Sequence, residues 1–135
     1  MRALVCDHWC DYDELTVRDF PAPELRPGAV RIRVEAAGVS YSTQIVVAGK
    51  YQRKPPLPFV PGTDVAGIVT EVASDVMDLT PGTRVFAPVD WGGSAQEVVA
   101  DAIHAFPLPE PLDLAAAAAL PVSYSTAAAA LMWRT

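Results

Sequence analysis

None of the eight glycines (Gly28, Gly38, Gly49, Gly62, Gly67, Gly82, Gly92, Gly93) falls into a G-x-G-x-x-G pattern. The sequence therefore lacks the phosphate-cradling turn between a strand and a helix that a dinucleotide requires. Positive charge is scarce as well. Ten Lys and Arg face sixteen Asp and Glu, for a net charge of −6. Arg31, Arg33, Arg53 and Lys54 are scattered among acids, which excludes nucleic acid as a partner because phosphate binding relies on clustered cations. Cysteine is limited to Cys6 and Cys10, too few for a disulfide scaffold. The opening MRALVCDHWCDYDE turns acidic at once and has no long apolar h-region, so a cytoplasmic, reducing location is expected. A single long stretch lacks charge, between Asp113 and Arg134. It is mostly alanine, includes Ser123, Tyr124, Ser125 and Thr126, and is broken by Pro121. Two short helices packed on protein are expected there, not a membrane span. With two histidines and no G-x-S-x-G, a serine hydrolase is excluded.

What the sequence does contain is enough apolar material for one core: 51% hydrophobic and 19% charged residues over 135 positions, read as one domain, 1–135. Thirteen prolines, about twice the usual share, fall between apolar runs and not inside them. MRALVC and LTVRDF are predicted to pair across the acidic turn Asp11 to Glu14, whose Asp11, Asp13 and Glu14 are read as solvated. Val30, Ile32, Val34 and Ala36 alternate with Arg31, Arg33 and Glu35, the period of a half-buried strand. SYSTQIVVAG predicts a short helix closed by Gly49. YQRKPPLPFVPG is too proline-dense for regular structure. VAGIVTEV predicts a strand with a bulge or close backbone approach at Gly67. PGTRVFA, SAQEVVA and the run through Ile103, His104 and Phe106 are further predicted strands, with His104 structural. Asp113 is the predicted N-cap of a helix through Ala119, and a second helix beyond Pro121 carries Tyr124, Leu131, Met132 and Trp133. Short strands with helices only late predict a small β-barrel.

One cysteine–histidine constellation needs weighing. Cys6, His8 and Cys10 in CDHWC share a face if the segment is a strand, yet three ligands are one short for structural zinc, and a buried strand cysteine is the commoner outcome.

The segment AAGVSYSTQIVVAGKYQRKPPLPFVPGTDVAGIV, Ala36 to Val69, resembles the signature region of the medium-chain dehydrogenase/reductases, and within them the zinc-independent quinone oxidoreductases related to zeta-crystallin. PGTRVFA, GGSAQEVVA (Gly92 to Ala100) and AAALPVSYSTAAAAL (Ala117 to Leu131) extend the likeness in the same order. The resemblance implies a mainly β (α+β) fold: a GroES-like, partly open β-barrel with short C-terminal helices, acting as an N-terminal catalytic domain. A Rossmann domain would follow in such enzymes and is expected to be absent here, with the helix containing Thr126 as the crossover toward it.

The same resemblance bears on the chemistry. Zinc-dependent members carry cysteine and histidine where this chain has Ser40 and Thr63, and the four-cysteine zinc lobe has no counterpart, so no zinc is expected. Hydride from NADPH would then pass to an acceptor that is already electrophilic, a quinone or an α,β-unsaturated carbonyl. Tyr51 and Ser40 are the expected catalytic residues. Ser40, Tyr51 and Thr126 would meet the cofactor's nicotinamide. Ser40 stands where quinone oxidoreductases have asparagine, Thr43 where aspartate is frequent, and Ala129 where some relatives have tyrosine. Asp64, after PGT, is expected to make structural hydrogen bonds. Two readings follow. The first is the catalytic domain of a quinone or enone reductase, inactive without a cofactor-binding domain that could be separately encoded. The second is a binding or assembly module that keeps the barrel without catalysis, its exposed Leu120, Val122, Tyr124, Leu131, Met132 and Trp133 favouring a homodimer or another partner.

Overall fold

The computed structural model describes residues 1–133. The alternating run forms the longest strand, β3 (Ala29–Gly38), with Val30 and Ile32 fully buried. On its other face Arg31 bonds Glu71 at 3.0 Å and approaches Glu97 at 3.5 Å, so it spans to both neighbouring strands. Around β3 lies a five-stranded antiparallel sheet. Beside β4 (Asp64–Val72), β5 (Arg84–Pro88), β6 (Glu97–Asp101) and β7 (Phe106–Pro107), its order is β6-β3-β4-β5-β7. The core is aliphatic: Val30, Ile32, Val65, Val69, Leu79, Val85, Ala87, Val98 and Ala100 pack together. Each fully buried Val or Ile contributes roughly 1.5–3 kcal/mol.

β1 (Arg2–Val5) and β2 (Thr16–Asp19) form a separate antiparallel pair. β1 also reaches the main sheet. Leu4 N–H donates to Ser94 O at 2.9 Å and Gln96 N–H to Arg2 O at 3.0 Å. Cys6 and Phe59 exchange backbone bonds of 2.9 and 3.0 Å, which ties the end of this strand pair to the proline-dense loop. These bridges join the two sheets into the mainly β arrangement that was expected.

β4 explains its glycine. A Cβ built on Gly67 would lie 2.0 Å from Arg33 O, and the β3–β4 register shifts between Val34 and Ala36. Bulge and close approach occur together there. The helices are α1 (Tyr41–Val47), α2 (Leu114–Ala117) and α3 (Pro121–Met132). Proline starts α3 at its first turn, where its missing N–H costs nothing, and Gly49 closes α1 with φ 66°. Among the described residues no helix is long and apolar enough to cross a membrane.

Two expectations are corrected. The run through Ile103, His104 and Phe106 is not one strand: Ala102–His104 form a 3-10 turn, and only Phe106–Pro107 pair with β5. His104 is exposed on that turn and not inside a strand. The condition set for CDHWC is not met, because β1 ends at Val5 and the chain bends through residues 7–9, while Cys6 is buried.

Candidate functional site

The far end of β3 and the start of β4 meet where Gly38 pairs with Asp64. Two residues on, Ser40 caps α1. Its Oγ accepts a long bond from Thr43 N–H at 3.4 Å and lies 2.8 Å from Ser42 Oγ and 3.0 Å from Thr43 Oγ1. Thr43 is buried and holds Ser40 from the protein side.

Asp64 is 5% exposed and fully engaged. Thr63 Oγ1 donates to its Oδ2 at 2.7 Å, and Val122 N–H donates to its Oδ1 at 2.8 Å. Val122 sits in the first turn of α3, so a carboxylate on the sheet caps a helix far along the chain. The sequence carried a signal for this. Leu120, at the N-cap of α3, has no side-chain acceptor, so the helix needs a cap from elsewhere. Gly38 makes room for the corner: a Cβ there would be 3.0 Å from Asp64 Cβ and 3.2 Å from Ala118 O.

Tyr51 follows Gly49 at the opposite end of α1 and is half-buried. Its loop is pinned on both sides. Arg53 makes a bidentate pair with Asp90 (2.7 and 2.7 Å) and lies over the Trp91 ring at 5.5 Å. Lys54 lies over Trp9 at 5.8 Å, and the Cys6–Phe59 bridge holds the loop's far end. These clamps join residues distant in sequence, and no local pattern announced them.

The structure therefore gathers Ser40, Thr43, Thr63, Asp64 and the start of α3 at one end of the sheet. Tyr51 lies past the far end of α1, a helix about 10 Å long, from Ser40 at its start. Thr126 lies one turn along α3 from Val122 and is exposed, as is Ala129. Among the described residues, Ser40, Tyr51 and Thr126 make no hydrogen bonds to one another. Of the six apolar residues expected at the C-terminal end, Leu120 departs: it is half-buried against Ala66 and Ala117. The other five are exposed, Trp133 to 86%.

Metal and phosphate can both be tested against these residues. Among the described residues no three His, Cys, Asp or Glu side chains converge as a metal site. Cys6 is buried and His8 exposed, so CDHWC does not present three ligands to one point. For a pyrophosphate the helix N-termini are the natural seats, and all three are already taken: α1 by Ser40, α2 by Asp113 (Ala116 N–H to Oδ2, 3.1 Å) and α3 by Asp64. Two of those caps are anionic and repel phosphate. The phosphate end of a dinucleotide does not fit these residues.

Both thiols hold their protons more tightly than free cysteine. Burial, with Cys10 and Asp7 nearby, pushes Cys6 up to about 11, and burial raises Cys10 too. Because the folded state holds the Cys6 proton more tightly than the unfolded chain, this contribution to stability is complete below about pH 9 and is lost as pH rises toward about 11. Iodoacetamide alkylation of the native protein is expected to be negligible at about pH 7.5 and to accelerate only in that alkaline window; rapid labelling at neutral pH would contradict the buried, protonated assignment.

Compared with known proteins, residues 26–110 match the alcohol dehydrogenase GroES-like domain. Quinone oxidoreductase-like protein 2 of Rattus norvegicus is 36% identical over 126 residues, which cover 93% of this chain and 35% of the rat protein. The crystal structure of the human synaptic vesicle membrane protein VAT-1 homolog-like protein superposes with a TM-score of 0.94 at 29% identity, over 98% of this chain and 42% of that one. The quinone oxidoreductase from Thermus thermophilus, solved alone and with NADPH, gives a TM-score of 0.83 at 36% identity, over 97% of this chain and 40% of its own. The chain thus spans about a third of the length of the curated relatives it matches.

Proposed function

Since this chain belongs to the alcohol dehydrogenase GroES-like domain family, in its quinone oxidoreductase group, we propose that it forms the acceptor wall of a zinc-independent, NADPH-dependent reductase of quinones or α,β-unsaturated carbonyls. The observation that carries this reading is the hydroxyl cluster at the β3–α1 corner. Ser40 and Thr63 stand where zinc-dependent members carry cysteine and histidine; Thr63 donates to Asp64, which leaves the Ser40 hydroxyl to face an acceptor. Such a site suits an acceptor whose conjugation already spreads incoming charge.

NADPH, when bound, supplies a hydride; the residues here act on the acceptor. Ser40, oriented by Ser42 and Thr43, donates its hydroxyl proton in a hydrogen bond to the acceptor's carbonyl oxygen. Tyr51 packs its ring along the acceptor plane, with its loop held by Arg53 and Asp90. Thr126, on α3, borders the nicotinamide side. The exposed face of α3 around Tyr124 and Leu131 is where a nucleotide-binding domain packs and excludes water. That same face favours the second reading, an assembly module, and light scattering separates them: a defined dimer of these 135 residues supports assembly.

Calorimetry of residues 1–135 alone is expected to give NADPH binding no tighter than about 1 mM, since the pyrophosphate has no seat. Joined to the nucleotide-binding part of the Thermus thermophilus relative, the chain should oxidise NADPH with 1,4-benzoquinone. Ser40→Ala should then lower kcat/KM by about tenfold to a hundredfold, and Tyr51→Phe by less. A joined protein that binds NADPH tightly yet reduces no quinone or enone would remove the proposal.

A further inference from the structure

The loop from Tyr51 to Pro58 is not held by its own backbone. Among the described residues, none of its main-chain groups bonds another main-chain group, so side chains and the loop's two ends set its place. One side chain reaches both sides of Tyr51. The Trp9 indole lies against Gly49 so closely that a Cβ there would stand 2.7 Å from Trp9 Cγ and 2.8 Å from Cδ2. Glycine meets two demands at this point, the approach of the indole and a φ of 66°. Three residues past Tyr51, Lys54 Nζ lies 5.8 Å from the centre of the same ring, within cation–π range. The indole is itself fixed. Ahead of it, Cys6 exchanges backbone bonds with Phe59; behind it, Cys10 N–H donates to Val47 O at 3.2 Å, filling a carbonyl that the last turn of α1 leaves open. Cys6 Sγ closes the bend by donating to His8 O at 3.1 Å. The buried Phe59 ring lies 6.2 Å from the indole, tilted by 48°.

We propose that Trp9 is a positioning residue for Tyr51: it holds the loop on both sides and so presents the Tyr51 ring to the acceptor. The inference rests on the reductase reading, in which that ring packs along the acceptor plane. Trp9 is 38% exposed, so it contributes less to stability than a fully covered tryptophan would. It also lies outside the aliphatic core around Val30 and Ile32. What its segment covers is the C-terminal end of α1. Ser40 caps the opposite end of the same helix, so one short rod relates the hydroxyl at its start to the Tyr51 loop just past its end. The Arg53 clamp to Asp90 acts only beyond Tyr51, whereas Trp9 meets Gly49 before it as well as Lys54 after it. Removing the indole therefore frees the segment that carries Tyr51. The bonds of Ser40 to Ser42 and Thr43 do not involve it.

The test begins with the full chain and backbone amide order parameters read by NMR. Trp9→Ala should lower those of Tyr51 and Gln52 from about 0.85 to below about 0.6, while β3 keeps its own. Catalysis is read in the protein joined to the Thermus thermophilus nucleotide-binding part, with 1,4-benzoquinone as acceptor. There Trp9→Ala should raise the quinone KM by about threefold to tenfold with kcat nearly unchanged, the mark of a lost binding contact. Trp9→Phe keeps an aromatic face and should recover about half of that loss or more. Lys54→Met, at an exposed position, leaves the fold intact and should raise KM by about twofold. A double-mutant cycle decides: if Trp9 acts through Tyr51, adding Trp9→Ala to Tyr51→Ala changes KM no further. Unchanged order parameters, or a further rise in KM in the double variant, would overturn the proposal. A KM raised by Tyr51→Ala but untouched by Trp9→Ala would overturn it and spare the reductase reading. A KM that Tyr51→Ala itself leaves unchanged would remove Tyr51 from the acceptor site, and this proposal with it.

Discussion

Gly67→Ala is expected to destabilise the protein by about 3 kcal/mol or more, enough to unfold a marginal domain. The added methyl would stand 2.0 Å from Arg33 O, 2.9 Å from Arg33 C and 3.0 Å from Ile32 Cγ2. Two of those three atoms are backbone of the neighbouring strand, so no rotamer change relieves the clash. β3 and β4 must separate, and they carry the most buried part of the sheet, Val30, Ile32, Val65 and Val69. Gly28→Ala is the matched control. A Cβ there meets nothing within 4 Å, and only its φ of 72° opposes substitution, at about 1 kcal/mol. Urea denaturation of both variants checks the difference: equal losses would mean that backbone conformation, not strand approach, dominates at Gly67.

Asp64→Ala is expected to cost about 2 kcal/mol, from a lost charge-assisted helix cap and an orphaned Thr63 hydroxyl. The loss should be local as well as global. Amides in the first turn of α3 should exchange faster, while those of β3 keep their protection relative to global stability. Asp64→Asn retains an acceptor oxygen for Val122 N–H and should recover about half of the deficit. If the asparagine variant is as damaged as the alanine one, the carboxylate does something beyond capping.

Most of the sheet was legible because its residues answer to one rule. β3 faces core on one side and water on the other, so period two appears directly in Val30 to Glu35. The Asp113 cap and the Gly49 stop were legible because helix ends are settled within three or four residues. What resisted was long-range. Asp64 and Val122 are 58 positions apart, and the sequence showed only a helix without its own cap. Arg53 with Asp90 and Trp91, and Lys54 with Trp9, pin the Tyr51 loop through contacts that no periodicity encodes. Residues 103–106 misled for a different reason. Their apolar side chains suggested a strand, but the chain makes a 3-10 turn first, and Phe106 is placed by stacking on Phe86 at 5.3 Å. At the candidate site, Ser40 and Tyr51 both stood out through the likeness to quinone oxidoreductases, and the hydroxyl neighbours of Ser40 appeared only in the structure. Thr126 lies on a helix that so far faces solvent.

That helix has a mechanical corollary. α3 is fastened at its first turn by Pro121 and Asp64, and beyond Pro121 none of its residues is buried. It behaves as a rod about 18 Å long clamped at one end, so a tilt of about 10° carries its tip about 3 Å. Whatever rides on the distal end is anchored through buried Pro121 and Asp64, and Asp64 pairs with the glycine two residues ahead of Ser40. A load on the distal end of α3 would bear on the Asp64–Val122 bond at that corner.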